Sequence, residues 1–95
     1  MMRSTANVAT DKAARYMSQL CKHFAHKIPA TLDGATGGRI EFPFGVCALA
    51  AEQAALHLSV EAENVQDLSR MEKVIADHLQ RFAFREPVEV SWSWN

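Results

Sequence analysis

The segment HLQRFAFREP, residues 78–87, decides how the chain folds, because a helix ends there and a final strand begins. On its N-terminal side, apolar residues recur at i+3 and i+4 spacing, which predicts an amphipathic helix capped by Asn64. Pro87 separates this helix from residues 88–94, in which apolar and polar residues alternate as in a strand. The apolar stripe of the helix comprises Val65, Leu68, Met71, Ile75, Leu79 and Phe82.

A second amphipathic helix is predicted upstream, over residues 11–27, between an N-capping Thr10 and the helix-breaking Pro29. Asp11 falls in its first turn, where a negative charge favours the helix dipole. The face opposite the apolar stripe carries cations and has no acidic residue after Asp11. The apolar stripe consists of Ala13, Met17, Leu20, Phe24 and Ile28.

The remaining sequence predicts strands and one loop. Residues 3–10, 39–44, 46–51 and 54–62 show the alternation or the short apolar runs that are typical of strands. Residues 31–38 contain Asp-Gly and Gly-Gly pairs, which predict a loop.

These elements follow one another in the order β-α-β-β-β-α-β, and three of the strands have one apolar and one polar face. We therefore predict a single domain over residues 1–95, an α+β two-layer sandwich with two helices packed on one face of a mostly antiparallel sheet. In an alternative interpretation, residues 39–51 form one long strand bent at Gly45. The order is then β-α-β-β-α-β, that of a ferredoxin-like fold.

The composition predicts a soluble cytoplasmic domain. A formal net charge of −1 and a pI of about 6.4 argue against nucleic acid as the partner. No apolar run reaches the roughly 18 residues of a membrane span, and the first ten residues lack the apolar core of a signal peptide. Cys21 and Cys47 lie far apart without metal-type spacing, which predicts two free, buried thiols in a reducing compartment.

Three blocks of sequence together resemble a known family. They are RY and LCKHFAHK within residues 15–27, GRIE and PFGVC within residues 38–47, and HL and RFAFRE within residues 78–86, followed by Val90 and Trp92. In this order they resemble a family of small bacterial proteins catalogued as domain of unknown function 2218, from Thr5 to Trp92. The resemblance implies no particular activity. It does imply an iron-handling context, because similar domains are linked with siderophore-interacting flavin reductases.

The cations of the first helix form a stripe about four turns long that suits phosphate, an acidic siderophore or an acidic partner protein. No aromatic side chain lies on this stripe, which argues against single-stranded nucleic acid. Solvation alone is the plainer explanation of such a face. The stripe consists of Lys12, Arg15, Lys22, His23 and His26.

Two of these histidines have a spacing that metal sites use. His23 and His26 are three residues apart on the helix, so both can contact one metal ion. Lys22 and Lys27 flank them, however, and no acidic residue or cysteine offers a third ligand. We therefore predict no metal site in this pair.

A third histidine, His78, lies on the shoulder of the second helix's apolar stripe, where a bond to a backbone carbonyl or a nearby acid is the usual role. It pairs with His23 across the seam between the helices only if the two helices are antiparallel. Three intervening strands make the helices parallel, whereas two make them antiparallel. The preferred strand order therefore disfavours the pair.

Recognisable reaction chemistry is missing: the sequence has no nucleophile elbow, no HExxH motif and no glycine-rich phosphate loop before a helix. No cofactor is predicted. We expect a non-enzymatic binding or accessory domain whose partner is an anionic small molecule or a protein. Trp94, close to the chain end, also offers a surface for a homodimer.

Two alternatives remain open. One is a metal- or haem-handling protein that uses His23 with either His26 or His78. The other is a small enzyme with a site between the two helices. The candidate ligand-binding residues across these hypotheses are Tyr16, His23, His78 and Arg81.

Overall fold

Two helices lie on one face of a six-stranded antiparallel sheet in the computed structural model, which describes residues 1–94. The predicted α+β two-layer architecture is therefore confirmed. The strands follow the order β2-β3-β4-β5-β1-β6 across the sheet. The elements are β1 (Met2–Ala9), α1 (Ala13–Phe24), β2 (Ala30–Asp33), β3 (Gly37–Phe42), β4 (Gly45–Ala51), β5 (Ala55–Ala62), α2 (Val65–Phe82) and β6 (Ser93–Trp94).

The core lies between the helices and the covered face of the sheet. β5 alternates strictly between half-buried and buried residues, as a strand with one covered face should. β1 pairs with β5 along its whole length, from Met2 opposite Ala62 to Ala9 opposite Ala55. The largest side chains with almost no exposure include Met17, Leu20, Ile40, Leu56, Leu68, Met71, Ile75 and Leu79.

The prediction of a loop over residues 31–38 is wrong in part. Ala30–Asp33 forms β2, and β3 begins at Gly37. Gly34 supplies the positive φ of 66° in the tight turn between them. Four strands therefore separate the helices, one more than the predicted three.

The ferredoxin-like alternative is also wrong. Residues 39–51 are not one bent strand, because β3 and β4 pair as an antiparallel hairpin, with Phe42 opposite Gly45. Pro43 lies in the turn of this hairpin, where its missing N–H breaks no ladder hydrogen bond.

The predicted cap of α2 is confirmed, whereas Thr10 is not the N-cap of α1, whose N-cap position is Lys12 without a side-chain capping bond. The side-chain oxygen of Asn64 accepts a hydrogen bond from the backbone N–H of Asp67 at 2.8 Å, which caps α2. At the other helix, the Thr10 hydroxyl accepts from the backbone N–H of Lys12 at 3.0 Å. α1 starts only at Ala13, so Asp11 precedes the helix and no acid lies in its first turn.

The last strand is shorter than predicted. Only Ser93 and Trp94 pair with β1, opposite Thr5 and Ser4, whereas residues 88–92 follow the core without strand pairing. Trp94 is 53% exposed, and its indole N–H donates to Glu72 of α2 at 2.9 Å.

The two helices are antiparallel, since an even number of antiparallel strands joins them. The start of α1 therefore lies beside the segment that follows α2, where Tyr16 contacts Glu86, and the end of α1 lies further back along α2, where His23 contacts His78. This arrangement determines which candidate residues meet. Neither helix of residues 1–94 is long and apolar enough to cross a membrane.

Candidate functional site

Glu86, just beyond the end of α2, is the centre of a polar corner between the helices. Its carboxylate accepts hydrogen bonds from the Tyr16 hydroxyl at 2.9 Å and from the Thr10 hydroxyl at 3.0 Å. The ammonium group of Lys12 lies 3.4 Å from the same carboxylate. Tyr16 is separated from Glu86 by 70 residues, so this contact depends on the fold.

These contacts define the protonation states of the corner. The hydrogen bond from Tyr16 lowers the pKa of Glu86, and Thr10 and Lys12 add to this effect. Burial raises the pKa of Tyr16, and its hydrogen bond to Glu86 raises it further. The pKa of Lys12 is raised mainly by its hydrogen bond to Glu86. The corner therefore holds an ionised carboxylate, a neutral phenol and an ammonium ion at neutral pH.

A surface cavity of about 490 Å³ opens beside Glu86, and we call it the corner cavity. Arg15 and Arg85 lie in its wall, and neither forms an ion pair within residues 1–94. The side-chain oxygen of Gln19, also in the lining, is buried without a hydrogen-bond partner in the described part of the chain. Phe82 and the 72% exposed Phe84 complete the apolar part of the lining.

A second cluster, the histidine seam, consists of His23, His78, Phe24 and Phe82. The rings of His23 and His78 have centroids 4.9 Å apart with an interplanar angle of 49°. Phe24 lies 5.0 Å from His23 and 4.7 Å from His78, and Phe82 lies 5.7 Å from His23. The pairing that the preferred strand order disfavoured is therefore present, because the extra strand makes the helices antiparallel.

The two histidines have different surroundings. Nδ1 of His78 lies 2.8 Å from the carbonyl oxygen of Val74, which only accepts, so Nδ1 carries the proton and Nε2 is left available. Partial burial lowers the pKa of His23, and the nearby charges of His78, His26 and Arg81 lower it further. At neutral pH His23 is therefore uncharged.

The candidate residues from the sequence separate into two sites. Tyr16, Lys12 and Arg15 belong to the corner cavity, and His23 and His78 to the histidine seam. Tyr16 and His23 are seven positions apart, which is about 10 Å along a helix. Phe82 alone contributes to both sites, since it lines the cavity and contacts His23.

The other three candidates stay on the surface. Lys22 and His26 are exposed on the outer face of α1, and neither has an ion-pair partner in residues 1–94. Arg81 is exposed near the end of α2, and its charge acts on His23. The predicted basic stripe thus contributes only Lys12 and Arg15 to the corner cavity.

Three residues of the corner were not among the candidates from the sequence: Glu86, Gln19 and Arg85. Arg85 follows a helix C-terminus, where a cation complements the helix dipole, so its position alone does not indicate a binding role. The available signal is the excess of cations over acids at the start of α1, where Asp11 is the one nearby acid in the sequence for Lys12 and Arg15. Such an excess favours a second acid from elsewhere in the chain.

The open face of the sheet has a broad, shallow depression of about 460 Å³. Its floor is made of small side chains such as Ala48, Ala50 and Ser59, with Asn7 beside them. His57 also lines this depression, and its Nε2 lies 2.8 Å from Oε1 of Glu52. This surface has less charge and fewer convergent polar groups than the corner cavity.

We predict that Glu86→Gln reduces stability in a pH-dependent way. The folded pKa of Glu86 lies below its ordinary value of 4.5, so ionised Glu86 stabilises the fold above that pH. This contribution is lost as pH falls from 4.5 through the folded pKa. Urea unfolding at several pH values should show the largest difference between the variant and the wild type above pH 4.5, narrowing below it. A stability difference that stays constant with pH would contradict the stabilising role of ionised Glu86. Glu63→Gln is the control, because Glu63 is an exposed acid without a partner in residues 1–94.

The fold and the corner define a small α+β protein with an open cavity at the end of its helix pair. Residues 5–93 match a family described as an uncharacterized protein conserved in bacteria, DUF2218. The chain belongs to this family. Among solved structures, it is similar to the NMR structure of PA4090 from Pseudomonas aeruginosa, at 39% sequence identity and a TM-score of 0.83. That alignment covers 98% of this chain and 96% of PA4090. A comparison with curated proteins finds no significant match.

Proposed function

We propose that the chain is a small, non-enzymatic binding domain of the bacterial cytoplasm that holds an anionic molecule in the corner cavity. The observation that carries this proposal is the pair Arg15 and Arg85, which lie in the wall of one cavity without ion-pair partners in the described residues. The guanidinium group matches carboxylate and phosphate geometry, so two such groups favour one of these anions.

The rest of the lining limits the ligand further. Phe82 and Phe84 provide apolar surface for a ring or an alkyl group, and the cavity volume of about 490 Å³ suits a small molecule. Gln19 provides a carbonyl oxygen without a partner, which favours a ligand with a hydroxyl or N–H donor. Glu86 repels a second anionic group. The best ligand is therefore a monoanion with an aromatic or alkyl body and a hydrogen-bond donor.

The iron context that the family resemblance implies stays a prediction, and it can be tested with the same chemistry. An aryl carboxylate with two neighbouring hydroxyl groups resembles the metal-binding unit of a catecholate siderophore. Such a ligand combines an anion for Arg15 and Arg85 with donors for Gln19. An acidic protein segment is the alternative occupant, and a homodimer through Trp94 would leave the corner cavity open.

The enzyme hypothesis has less support. General acid–base catalysis needs groups within hydrogen-bond reach of one substrate atom. The Tyr16 hydroxyl is already engaged as a hydrogen-bond donor to Glu86, and Tyr16 lies about two helical turns from His23.

We predict that Arg15→Glu and Arg85→Glu each weaken ligand binding by roughly tenfold or more, since a hydrogen bond to a charged group contributes about 1.5–3 kcal/mol. The probes are benzoate, 2,3-dihydroxybenzoate and phenyl phosphate. Their binding is measured in NMR titrations by changes in the amide chemical shifts of the protein. Shifts should concentrate at residues 12–19 and 82–86.

Lys22→Glu is the matched control, because Lys22 is exposed on the same helix but lies outside the cavity. It changes the net charge by the same amount as Arg15→Glu. Equal weakening of binding in Lys22→Glu and Arg15→Glu would indicate a nonspecific charge effect. No shift with any probe at millimolar concentration would reject a small anion as the ligand.

A further inference from the structure

The two histidines of the seam have no role in the proposed anion site, yet the fold brings these metal-ligating side chains together from different helices. We propose that His23 and His78 form a surface site for a first-row divalent metal ion, in which both imidazoles are neighbouring ligands of one ion. The site is independent of the corner cavity. Its remaining coordination positions are filled by water or by an external ligand.

The distance between the two rings fits this geometry. A metal–nitrogen bond of about 2.0–2.1 Å places the metal roughly 3.2 Å from each ring centroid. If the nitrogen–metal–nitrogen angle is about 90–110°, the centroids of the two imidazole rings lie about 4.5–5.2 Å apart. The observed separation of 4.9 Å lies in this range.

The same distance argues against a haem held by both histidines. Axial ligands lie on opposite sides of the iron, so their ring centroids would be about 6.4 Å apart with bonds of this length. The observed 4.9 Å is too short for that arrangement. The geometry therefore separates the two versions of the metal hypothesis that the sequence left open.

The second coordination layer already resembles that of a metal site. Histidine ligands usually donate their other ring N–H to a carbonyl or a carboxylate, which fixes the tautomer and orients the ring. The hydrogen bond from Nδ1 of His78 to the Val74 carbonyl does this, and it leaves Nε2 as the ligand atom. Phe24 packs against both rings and limits their rotation.

The number of protein ligands defines the kind of site. Within residues 1–94, no three histidine, cysteine, aspartate or glutamate side chains are grouped as metal ligands. A closed structural zinc site with four protein ligands is therefore excluded for this part of the chain. Two neutral imidazoles leave the full charge on the ion, and Arg81 adds positive charge nearby. An anionic external ligand would consequently be favoured at the open positions.

Copper(II) is the best probe, because it stands at the top of the affinity order of divalent first-row metals for a given set of ligands. Tag-free protein, stripped with a chelator, is titrated with copper(II) in a buffer that does not coordinate metals. We expect one ion per chain, with an electron paramagnetic resonance spectrum that shows coupling to two imidazole nitrogens. Nickel(II) and zinc(II) should bind at the same site more weakly.

The variants test which histidines are ligands. His23→Asn and His78→Asn should each weaken copper binding by roughly tenfold or more, because loss of a supporting residue alone commonly costs ten- to hundredfold. His26→Asn and His57→Asn should leave the affinity unchanged. His23 is exposed, so its replacement tests the site without disturbing the core.

Three results would overturn the proposal. One is the absence of stoichiometric binding at about 100 μM copper, well above the range of a functional site. A second is an equal loss in His26→Asn, which would assign the ion to His23 and His26 on one helix. The third is an unchanged spectrum in the His23→Asn/His78→Asn double variant, which would assign the ion to ligands outside the histidine seam.

Discussion

Leu79→Ala is expected to lower the free energy of unfolding by about 2–5 kcal/mol, the usual range for removing three carbons from a filled core position. Leu79 has 0% exposure and lies in the last turns of α2, where the helix covers the sheet. Whole domains are stable by only about 5–15 kcal/mol. The change therefore removes a large share of the total, and it loosens the helix that carries His78 and Phe82.

Urea unfolding followed by circular dichroism measures this effect, and the slope of the transition shows whether unfolding stays two-state. Gln80→Ala is the matched control, since Gln80 is the next residue of the same helix and is exposed. Its effect should stay within about 0.5 kcal/mol. A loss below about 1 kcal/mol for Leu79→Ala would mean that the last turn of α2 is not packed as described.

Most of the architecture follows from periodicity in the sequence. The apolar stripe of α2 contributes Leu68, Met71, Ile75 and Leu79 to the core, each with 0% exposure. Such stripes are readable because a helix that covers a sheet must keep one face apolar over its whole length. The strict alternation of β5 has the same origin, since only one face of that strand meets the helices.

β2 could not be predicted from the periodicity of the sequence. Thr31, Leu32 and Asp33 are exposed and Ala30 is only half-buried, so burial imposes no alternation on this edge strand. Its pairing with β3 also uses Gly37 and Gly38, which in a single sequence are typical of a turn. An edge hairpin with little buried surface therefore looks like a loop.

This single missed strand changed the prediction for the histidine seam. Helix direction depends on whether the number of intervening strands is odd or even, so an error of one strand reverses it. Once that number is known, the wheel positions place His23 and His78 either both in the seam or both away from it, and the structure has both in the seam. The site prediction thus failed because of topology rather than side-chain chemistry.

The Glu86 corner was unpredictable for a different reason. Thr10, Lys12 and Tyr16 reach Glu86 across sequence separations of 70 residues or more. No local sequence pattern indicates a contact between residues so far apart in the chain. Only the three-dimensional arrangement shows that Glu86 joins Asp11 as a partner of Lys12, whereas Arg15 has no ion-pair partner within residues 1–94.

Gly45→Ala is expected to destabilise the fold by about 3 kcal/mol, near the upper end of the usual range for inserting a methyl group into packed structure. A Cβ atom on Gly45 would lie 2.6 Å from the carbonyl oxygen of Glu61 and 2.8 Å from Cγ of Met71. Glu61 belongs to β5, which is paired on both sides, so its carbonyl cannot withdraw without breaking two ladders. Glycine is thus required here for the close approach of β5 and α2.

Two other glycines of the same sheet provide a graded comparison. A Cβ on Gly38 would meet Sγ of Cys21 at 2.9 Å, but a side chain can rotate, so Gly38→Ala should cost less than Gly45→Ala. On Gly37 the nearest atom would be 3.4 Å away, an ordinary contact. There the smaller entropy of the unfolded alanine chain should make the change neutral or stabilising by about 0.4–1 kcal/mol. Thermal and urea unfolding of the three variants should follow this order, and equal stability of Gly45→Ala and Gly37→Ala would contradict the packing of α2 over the β3–β4 turn.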